Sequence, residues 1–334
     1  MIEVIECRFP ASIQDTGRPG YRHLGVPLSG ALDAVWLALA NTLAGNDVAA
    51  AAIEVRLLGP SLRAHDPCIV ALAGEFAATI IDASGQSRQA ANWRGHALSP
   101  GETLVAGNLR SGIGYVAIAG GIDVPSVLGS RSTYARAGIG GMGGRNLAAG
   151  DLLMTGAAGH HAPRCLPAPP GVPHGPLRIL PGPQRSRFPD ESWSTFLDAE
   201  FRVGREADRM GLRLDGPTMG HAGGADIVSE AVTPGAIQVP GDGRPIVLLA
   251  DCQTVGGYAK IATVIGADLP RLAHLLPGQT LRFALVDMAA ALAARREQSV
   301  ALAKALASIG PAGPDMDLDA LYSANLIDGV IDAD

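Results

Sequence analysis

Lysine is nearly absent from this chain of 334 residues: of its 26 basic residues, only Lys260 and Lys304 are lysines. A phosphate-binding P-loop needs a Gly-Lys-Ser/Thr sequence, but Ile261 and Ala305 follow the two lysines. A biotin carrier domain needs a lysine in a Met-Lys-Met hairpin, and neither lysine has that setting. The lysine content therefore excludes a Walker-type phosphate site and a biotinyl carrier domain.

Cysteine and histidine patterns typical of metal sites are also missing. Cys7, Cys68, Cys165 and Cys252 lie far apart and form no CxxC, so neither a zinc framework nor a disulfide scaffold is expected. The eight histidines include no HExxH, and we predict no metal ion. Cys252 has no nearby histidine, which favours a buried apolar side chain over a nucleophile.

Targeting and membrane signals are missing too. Residues 1–6 lack the basic and apolar regions of a signal peptide, and no apolar run reaches the ~18 residues that span a bilayer. The arginines form no basic stripe. We therefore expect a cytoplasmic protein that binds neither membranes nor nucleic acids. Six aspartates in residues 311–334 account for the whole net charge of −6, and this acidic tail favours a protein partner.

Glycine and proline are abundant, with 43 and 24 residues, whereas aromatic residues make up 4%. This composition favours turns and short strands, so we predict a mainly β fold with a few helices. Apolar spacing predicts a helix over 31–44, with Ser29 as its N-cap and Gly45 just after its end. Further helices are predicted near 190–197, from about Asp268, and over 288–308.

Six prolines between residues 155 and 177 mark the best domain boundary. We predict a β-barrel-like domain over 1–160 that carries one amphipathic helix, a second domain over 176–286, and an Ala-rich helix with the acidic tail over 287–334.

The two halves share a pattern. Residues 66–74 resemble 243–251, and Pro-Gly-x-Thr-Leu occurs at 100–104 and again at 277–281. The interval from Gly74 to Pro100 and the interval from Asp251 to Pro277 are both 26 residues, and Glu54 and Glu230 precede the two blocks. Coincidence is one explanation, because such a phrase is a common turn before a strand. The equal spacing favours a duplication, with chemistry in the cleft between two similar β domains.

The most polar stretch of the second half is Asp251 to Lys260, which follows a strand-like run at 246–250. Its Gly-Gly pair indicates a bulge, a tight turn or a close approach of the backbone to a ligand. An Asx-type turn in a hairpin is the structural alternative. We predict Lys260 and Asp251 as catalytic residues. The predicted substrate-binding residues of this half are Asp208, Arg209, Glu230, Gln238, Gln253, Thr254, Gly256, Gly257 and Tyr258.

Two loops of the first half supply further candidates. Residues 138–143 satisfy GxGxxG, but Arg145 and a Gly-Asp turn follow where a Rossmann helix should open, so we reject a dinucleotide site. The loop could bind an anion through backbone N–H groups and arginines, or it could be an ordinary cluster of turns. Asp15 is predicted as a catalytic base unless it only caps its loop. The predicted substrate-binding residues of this half are Gln14, Arg18, Tyr21, Arg131, Ser132, Thr133 and Arg145.

Together these segments resemble a known family. QDTGRPGYRHLGVPLSGALD (14–33), GSRSTYARAGIGGMGGR (129–145), DRMGLRL (208–214), SEAVTPGAIQVPGDGRPIVLLADCQTVGGYAK (229–260) and ADLPRLAHLLPGQTLRF (267–283) are similar to allophanate hydrolase subunit 2 proteins. The same family is also known as the biotin-dependent carboxyltransferase family, as the KipA-like family, or by the C-subunit of 5-oxoprolinase. The chain departs from it at Ala259, where proline is usual, and at Cys252, where a small residue is usual.

The resemblance implies two cyclophilin-like β-barrel domains, in agreement with the duplication. It also implies a KipI-like partner, which is the B-type chain of 5-oxoprolinase, and a LamB-type third chain. Together these chains cleave 5-oxoproline to glutamate with ATP. ATP would be bound through the complex, and biotin could act in trans. Two alternatives are a biotin-dependent carboxyltransferase acting on urea or a related amide, and a regulatory protein that sequesters its KipI-like partner.

The resemblance and the residues together assign roles in the cleft. Lys260 and Arg131 would hold anionic oxygens of a small amide substrate or phosphate. Asp15 or Asp251 would accept a proton, and Gln253 and Tyr258 would orient the amide.

Overall fold

A computed structural model describes residues 1–157 and 162–313 of the chain. The histidine pair at 160–161 and nearly all of the predicted acidic tail lie outside these residues. The prediction of a mainly β fold with a few helices is confirmed. The strands are β1 (Ile2–Glu6), β2 (Ala11–Gln14), β3 (Ala52–Leu58), β4 (Ser61–Ala64), β5 (Cys68–Ala73), β6 (Thr79–Ile81), β7 (Ser87–Gln89), β8 (Arg94–Leu98), β9 (Thr103–Val105), β10 (Asn108–Ile118), β11 (Leu152–Leu153), β12 (Arg164–Cys165), β13 (Leu177–Pro181), β14 (Phe201–Ala207), β15 (Gly211–Asp215), β16 (Asp226–Ala231), β17 (Ala236–Gln238), β18 (Ile246–Leu248), β19 (Val255–Tyr258), β20 (Lys260–Val264), β21 (Thr280–Leu281), β22 (Phe283–Leu285) and β23 (Gly310–Pro311). The helices are α1 (Ala34–Ala44), α2 (Asp190–Asp198), α3 (Leu269–Ala273) and α4 (Met288–Ser308).

Two sheets form the first domain. One has the order β11-β1-β4-β9-β6-β7 and the other β2-β3-β10-β5-β8-β12-β23. Side chains alternate across a strand, so β10 sends Val116 and Ile118 into the core between the sheets, while Tyr115 and Ala117 face the opposite side. That opposite side is covered by α1, whose Leu39 and Leu43 are buried. Helix α1 therefore lies between the first domain and the second.

Helix α1 begins three residues later than its apolar spacing predicts. Its N-cap is Asp33, whose carboxylate accepts from the backbone N–H groups of residues 35 and 36, and not Ser29. The N–H of Ala31 donates to Asp15 O (2.9 Å) and the N–H of Leu32 donates to Glu54 Oε2 (2.8 Å). Because acceptors elsewhere in the fold already satisfy these donors, the helix starts only after them. The predicted Gly45 after the helix is confirmed, with φ +79°.

The second domain is built on one eight-stranded sheet of order β21-β14-β15-β18-β17-β20-β13-β22, which curls into a nearly closed barrel. Neighbouring strands are antiparallel except β13 and β22, which run parallel. Phe196 of α2 stacks on Phe283 at 4.8 Å inside this domain. Strands β16 and β19 pair only with each other in the part of the chain that the structure describes, and we call them the ribbon.

The duplicated phrase folds in the same way in both halves. Gly101 and Gly278 have nearly equal left-handed φ angles, +90° and +91°, and β9 or β21 follows directly. Helices α2, α3 and α4 occur where the sequence predicts them, and α4 leads to β23, which returns to a sheet of the first domain. No helix in residues 1–157 and 162–313 is long and apolar enough to cross a membrane.

Candidate functional site

A cleft of about 480 Å³ opens between the two domains. Its charged lining combines four arginines with three carboxylates, drawn from both domains. The first domain contributes Glu54, Arg56 and Arg136, and the second contributes Arg205, Asp208, Arg209 and Asp251. The cleft thus offers cations and anions in one concave space, as ligand sites do.

Arg209 is the central charge of this cleft. Its Nε donates to Asp251 Oδ2 (2.8 Å), its Nη1 donates to Glu54 Oε1, and its Nη2 donates to Gly30 O (2.5 Å) and more weakly to Asp251 Oδ1 (3.3 Å). Burial alone would lower the pKa of Arg209, but the carboxylates of Glu54 and Asp251 outweigh it and raise the pKa. Arg209 therefore stays charged and holds one carboxylate from each domain.

Asp208 does not pair with Arg209, although the two charges are adjacent in sequence. Its Oδ1 accepts instead from the backbone N–H groups of Met210 (2.8 Å) and Gly211 (3.2 Å). Asp208 therefore shapes the turn that presents Arg209 to the cleft.

Asp15 lies in a tight knot of loops within the first domain. Its Oδ1 accepts from the N–H of Gly17 (2.8 Å) and from the hydroxyls of Ser130 (2.6 Å) and Ser132 (2.5 Å). Its Oδ2 accepts from the N–H of Arg131 (2.5 Å). Through these hydrogen bonds Asp15 holds the 14–18 loop against the 130–133 loop. Its predicted role as a base stays a prediction.

Arg18 is fully buried in the same knot of loops. Its Nη2 donates to Ser132 O, while its Nε and Nη1 have no hydrogen-bond partner among the described residues. Burial lowers its pKa, and the carboxylates of Asp15 and Asp251 act in the opposite direction. The carboxylate of Asp251 from the second domain therefore contributes to the electrostatic environment of Arg18.

The other candidates of the first domain make local contacts. Gln14 Nε2 donates to Thr133 O (3.2 Å), and Arg131 donates to Val124 O (2.9 Å) and Asp123 Oδ1 (3.2 Å). The carbonyl of Tyr21 accepts from Leu24 N in a short 3-10 turn. None of these predicted residues lines the cleft.

The glycine-rich loop uses its backbone donors internally. The N–H of Gly141 donates to Arg131 O (2.8 Å), and the N–H of Gly144 donates to Gly140 O (2.6 Å). Arg145 is engaged as well, because its guanidinium forms a two-bond pair with Asp151 at 2.7 and 2.6 Å. This geometry favours the cluster-of-turns interpretation of the loop over an anion cradle.

The structure separates Lys260 from Asp251. Asp251 lines the cleft, whereas Lys260 is buried at the start of β20, with its Nζ 2.6 Å from Glu230 Oε1 at the base of the ribbon. Gln184 Nε2 donates to the same Glu230 oxygen (2.7 Å). The contact with Lys260, and then the hydrogen bond from Gln184, lower the pKa of Glu230. The catalytic role predicted for Lys260 stays a prediction.

The Gly-Gly pair lies in the ribbon and allows a close approach of protein to protein. A Cβ at Gly256 would be 2.4 Å from Gln238 Nε2, and Gln253 Nε2 donates to Gln238 Oε1 (3.1 Å). Thr254 accepts from the N–H of Val232 through its carbonyl (3.0 Å). The predicted residues Gly257 and Tyr258 complete this strand of the ribbon, outside the cleft lining.

Comparison with known proteins identifies the family of the chain. The family model described as "Carboxyltransferase domain, subdomain A and B" matches residues 24–285. The chain is 35% identical over 301 residues to the C-subunit of 5-oxoprolinase from Escherichia coli, and the match spans 89% of this chain and 95% of that protein. The match to the same protein of Haemophilus influenzae is 36% over 304 residues, and it spans 90% and 96%. The solved urea amidolyase of K. lactis superposes with a TM-score of 0.82 at 29% identity, and the match covers 91% of this chain and 20% of that one.

The chain belongs to the carboxyltransferase domain family. The family resemblance and the expected pair of barrel-like domains are thereby confirmed. In this member of the family, residues 1–157 and 162–313 contain no group of three or more His, Cys, Asp or Glu arranged to hold a metal ion.

Sequence reasoning missed several cleft residues. Glu54 was noted only as part of the duplication, yet it is a buried carboxylate in the middle of an apolar strand, and that is a signal for a charged partner. Arg56, Arg136 and Arg205 belong to no motif, and no local signal marks them. Arg22 was also missed: its Nη2 donates to Val232 O across the domain interface.

Proposed function

We propose that this chain is part of an ATP-dependent amide hydrolase of the 5-oxoprolinase type, and that it binds 5-oxoproline in the interdomain cleft. The observation that carries the proposal is the Glu54–Arg209–Asp251 cluster on the cleft lining, with three further arginines around it. The full-length similarity to two proteins named as the C-subunit of 5-oxoprolinase supports the same assignment.

The arginines of the cleft suit a substrate that carries a carboxylate. Arg56 makes only one long hydrogen bond, from Nη2 to Leu275 O at 3.4 Å, and burial lowers its pKa. Arg136 and Arg205 have no ion-pair partner within the described part of the chain. A guanidinium binds a carboxylate through two parallel hydrogen bonds, so a carboxylate here would satisfy an arginine that lacks a partner.

The lactam of the substrate would face Asp251 and Arg209. Arg209 uses four of its five N–H donors on protein oxygens, which leaves one for the substrate carbonyl. Asp251 would accept a hydrogen bond from the lactam N–H or a proton from the attacking group. Because Arg209 stays charged at every working pH, it supplies a fixed positive field where the carbonyl oxygen gains charge.

The contacts of the glycine-rich loop favour an ATP site outside this chain. The glycine-rich loop, the one segment with a nucleotide-like motif, spends its backbone donors internally, and Arg145 is paired with Asp151. We assign ATP to the partner chains, a KipI-like protein and a LamB-type protein, in a cytoplasmic complex. In this arrangement the present chain binds and orients the amide while its partners handle the nucleotide.

The test is glutamate release from 5-oxoproline by the purified complex of this chain with its two partners, with and without ATP. We expect ATP-dependent glutamate, and a strong loss in Asp251→Asn and in Arg56→Met. Arg213→Met is the matched control, because Arg213 pairs with Glu206 on the exposed surface of the same domain. Full activity in both cleft variants would remove the cleft from the proposal.

A biotin-dependent carboxyltransferase is the second candidate function, and the structural match to urea amidolyase favours it. Biotin would have to come from a partner, since the chain has no biotinyl lysine motif. Urea-dependent loss of the carboxyl group from carboxybiotin would support this function, and glutamate release from 5-oxoproline would exclude it as the main one. A complex that forms and inhibits its KipI-like partner, without turnover of either substrate, would instead support a regulatory binding protein.

A further inference from the structure

The cleft is connected to a second cavity by buried hydrogen bonds. This second cavity, of about 300 Å³, lies between α1, α3 and α4, and its lining includes Asp33 and His274. Neither residue lines the cleft. A chain of contacts nevertheless leads from His274 to Arg209, and it crosses the domain interface twice.

The first crossing joins α3 to α1. His274, just after α3, lies with its Nε2 2.9 Å from Asp33 Oδ2 and its Nδ1 2.7 Å from Ser111 O. The other oxygen of Asp33 caps α1, so this carboxylate is fixed by its own helix. Both side chains are more than nine-tenths buried. The pair therefore holds the second domain against the start of α1.

Tyr115 continues the chain inside the first domain. Its hydroxyl accepts from the N–H of Asp33 (2.9 Å) and donates to Glu54 Oε2 (2.8 Å). Burial and the carboxylates of Glu54 and Asp33 raise the pKa of Tyr115 well above its ordinary value. The hydroxyl stays protonated, so it donates to Glu54 at every working pH.

Glu54 makes the second crossing. It lies directly opposite Tyr115 in the β3–β10 ladder, and its Oε2 also accepts from the N–H of Leu32 (2.8 Å). These two donors fix one carboxylate oxygen and aim the other at Arg209 Nη1. Arg209 in turn holds Asp251. The Glu54 side chain is only 2% exposed, so water has little access to replace these partners.

We propose that Glu54 and Tyr115 are positioning residues of the cleft: they orient the Arg209 guanidinium, and through it Asp251, and they do so only while the two domains are docked. The inference rests on the proposed function for the reaction that it serves. Arg209 and Asp251 both belong to the second domain, but the group that sets their orientation belongs to the first. The site is therefore completed at the interface rather than within either barrel.

The test compares Glu54→Gln and Tyr115→Phe with Glu102→Gln in the full complex. Glu102 is a carboxylate of the first domain that also accepts a backbone N–H, from Ser99, but it lies away from the cleft. We expect activity per folded chain to fall about 10-fold to 100-fold in Glu54→Gln and about 10-fold in Tyr115→Phe, because a buried charge-assisted contact is lost. The Glu102 variant should keep full activity.

A second measurement does not depend on turnover. The Arg209 Nε–H signal in ¹H–¹⁵N spectra, assigned with Arg209→Lys, should exchange slowly with water in the original chain because Asp251 accepts it. Exchange should rise about tenfold or more in the Glu54 and Tyr115 variants and stay unchanged in Glu102→Gln. Since Tyr115→Phe keeps the buried ring, it remains informative if Glu54→Gln does not fold.

The two proposals fail in different ways. If the original complex releases no glutamate, the proposed function fails. The exchange rates of the Arg209 Nε–H still test the positioning role in that case. If the original complex is active and both variants match it in activity and in Arg209 exchange, the positioning role is overturned. Slow exchange that persists in both variants overturns it even without an active complex.

Discussion

Arg209→Met is the sharpest perturbation of the domain interface. It removes the partner of two carboxylates whose side chains are 2% and 9% exposed, Glu54 and Asp251. Breaking a buried ion pair by deleting one member costs about 3–5 kcal/mol, because the other charge remains buried. Arg209 itself is 18% exposed at the cleft, so water reaches part of the cluster. We therefore expect the lower end of that range, about 3 kcal/mol of unfolding free energy.

Urea unfolding followed by tryptophan fluorescence measures this loss. Trp36 and Trp93 report on the first domain, where their rings meet edge to face at 4.8 Å, and Trp193 on α2 reports on the second. Arg213→Met is the matched control, since its side chain and that of Glu206 are 51% and 80% exposed. An exposed pair contributes about 0–1 kcal/mol, so this variant should unfold nearly like the original chain.

A second substitution checks the cause of the loss. Glu54→Gln in the Arg209→Met background neutralises one of the orphaned carboxylates, so it should restore part of the lost stability. The same Glu54→Gln in the original chain should destabilise it, because it weakens the contact to a charged Arg209. The reasoning is refuted if Arg209→Met unfolds within about 1 kcal/mol of the original chain, or if the two losses simply add.

Three further predictions concern other parts of the chain. Lys260→Ala should lower the free energy of unfolding in urea by about 1–3 kcal/mol, because it removes a buried cation from Glu230. Lys304 is exposed, so Lys304→Ala should change the stability by less than about 0.5 kcal/mol. Equal effects of the two substitutions would contradict the burial of Lys260. Cys252 should resist a thiol reagent in the folded protein at pH 8 and react after unfolding, since burial raises the pKa of its thiol and shields it; rapid labelling of the folded chain would refute this. Burial alone would raise the pKa of Asp268, but its bonds to Arg178 lower it below the ordinary 3.8, so its contribution is present above that pH and lost as the pH falls below it. The stability difference between the original chain and Asp268→Asn should accordingly shrink as the pH falls below about 4, and a constant difference would count against the ion pair.

Helix ends were predicted correctly where local sequence signals determine them, and incorrectly where long-range contacts do. Helix α4 begins and ends at the predicted residues because Asp287 caps it and an Ile-Gly-Pro sequence ends it. The start of α1 was misplaced because the N–H groups of Ala31 and Leu32 bond to residues distant in sequence. Such long-range contacts produce no periodic pattern in the sequence, so helix ends that depend on them cannot be predicted from the sequence.

Only some of the residues that line the cleft are among the sequence-based candidates. Arg209 and Asp251 are both candidates from the sequence, and the structure brings them together at 2.8 Å. The motif that joins Asp251 to Lys260 suggested one site, but the ribbon between them carries the chain away from the cleft. Asp251 and Lys260 are therefore close in sequence, but only Asp251 lines the cleft. The arginines at 56, 136 and 205 come from separate strands and loops, so only the folded interface assembles them.

The charged interface is asymmetric, although the two halves share a repeated sequence pattern. Glu54 and Glu230 each precede one of the two repeated blocks in the sequence, and each carboxylate binds one cation. Glu230 pairs with Lys260 of its own domain, whereas Glu54 pairs with Arg209 of the other domain. The residue that corresponds to Asp251 in the first half is Gly74, which has no side chain to complete a second cluster. The two domains therefore build one charged cluster at their interface, in which the second domain supplies the cation and one carboxylate and the first domain supplies the other carboxylate.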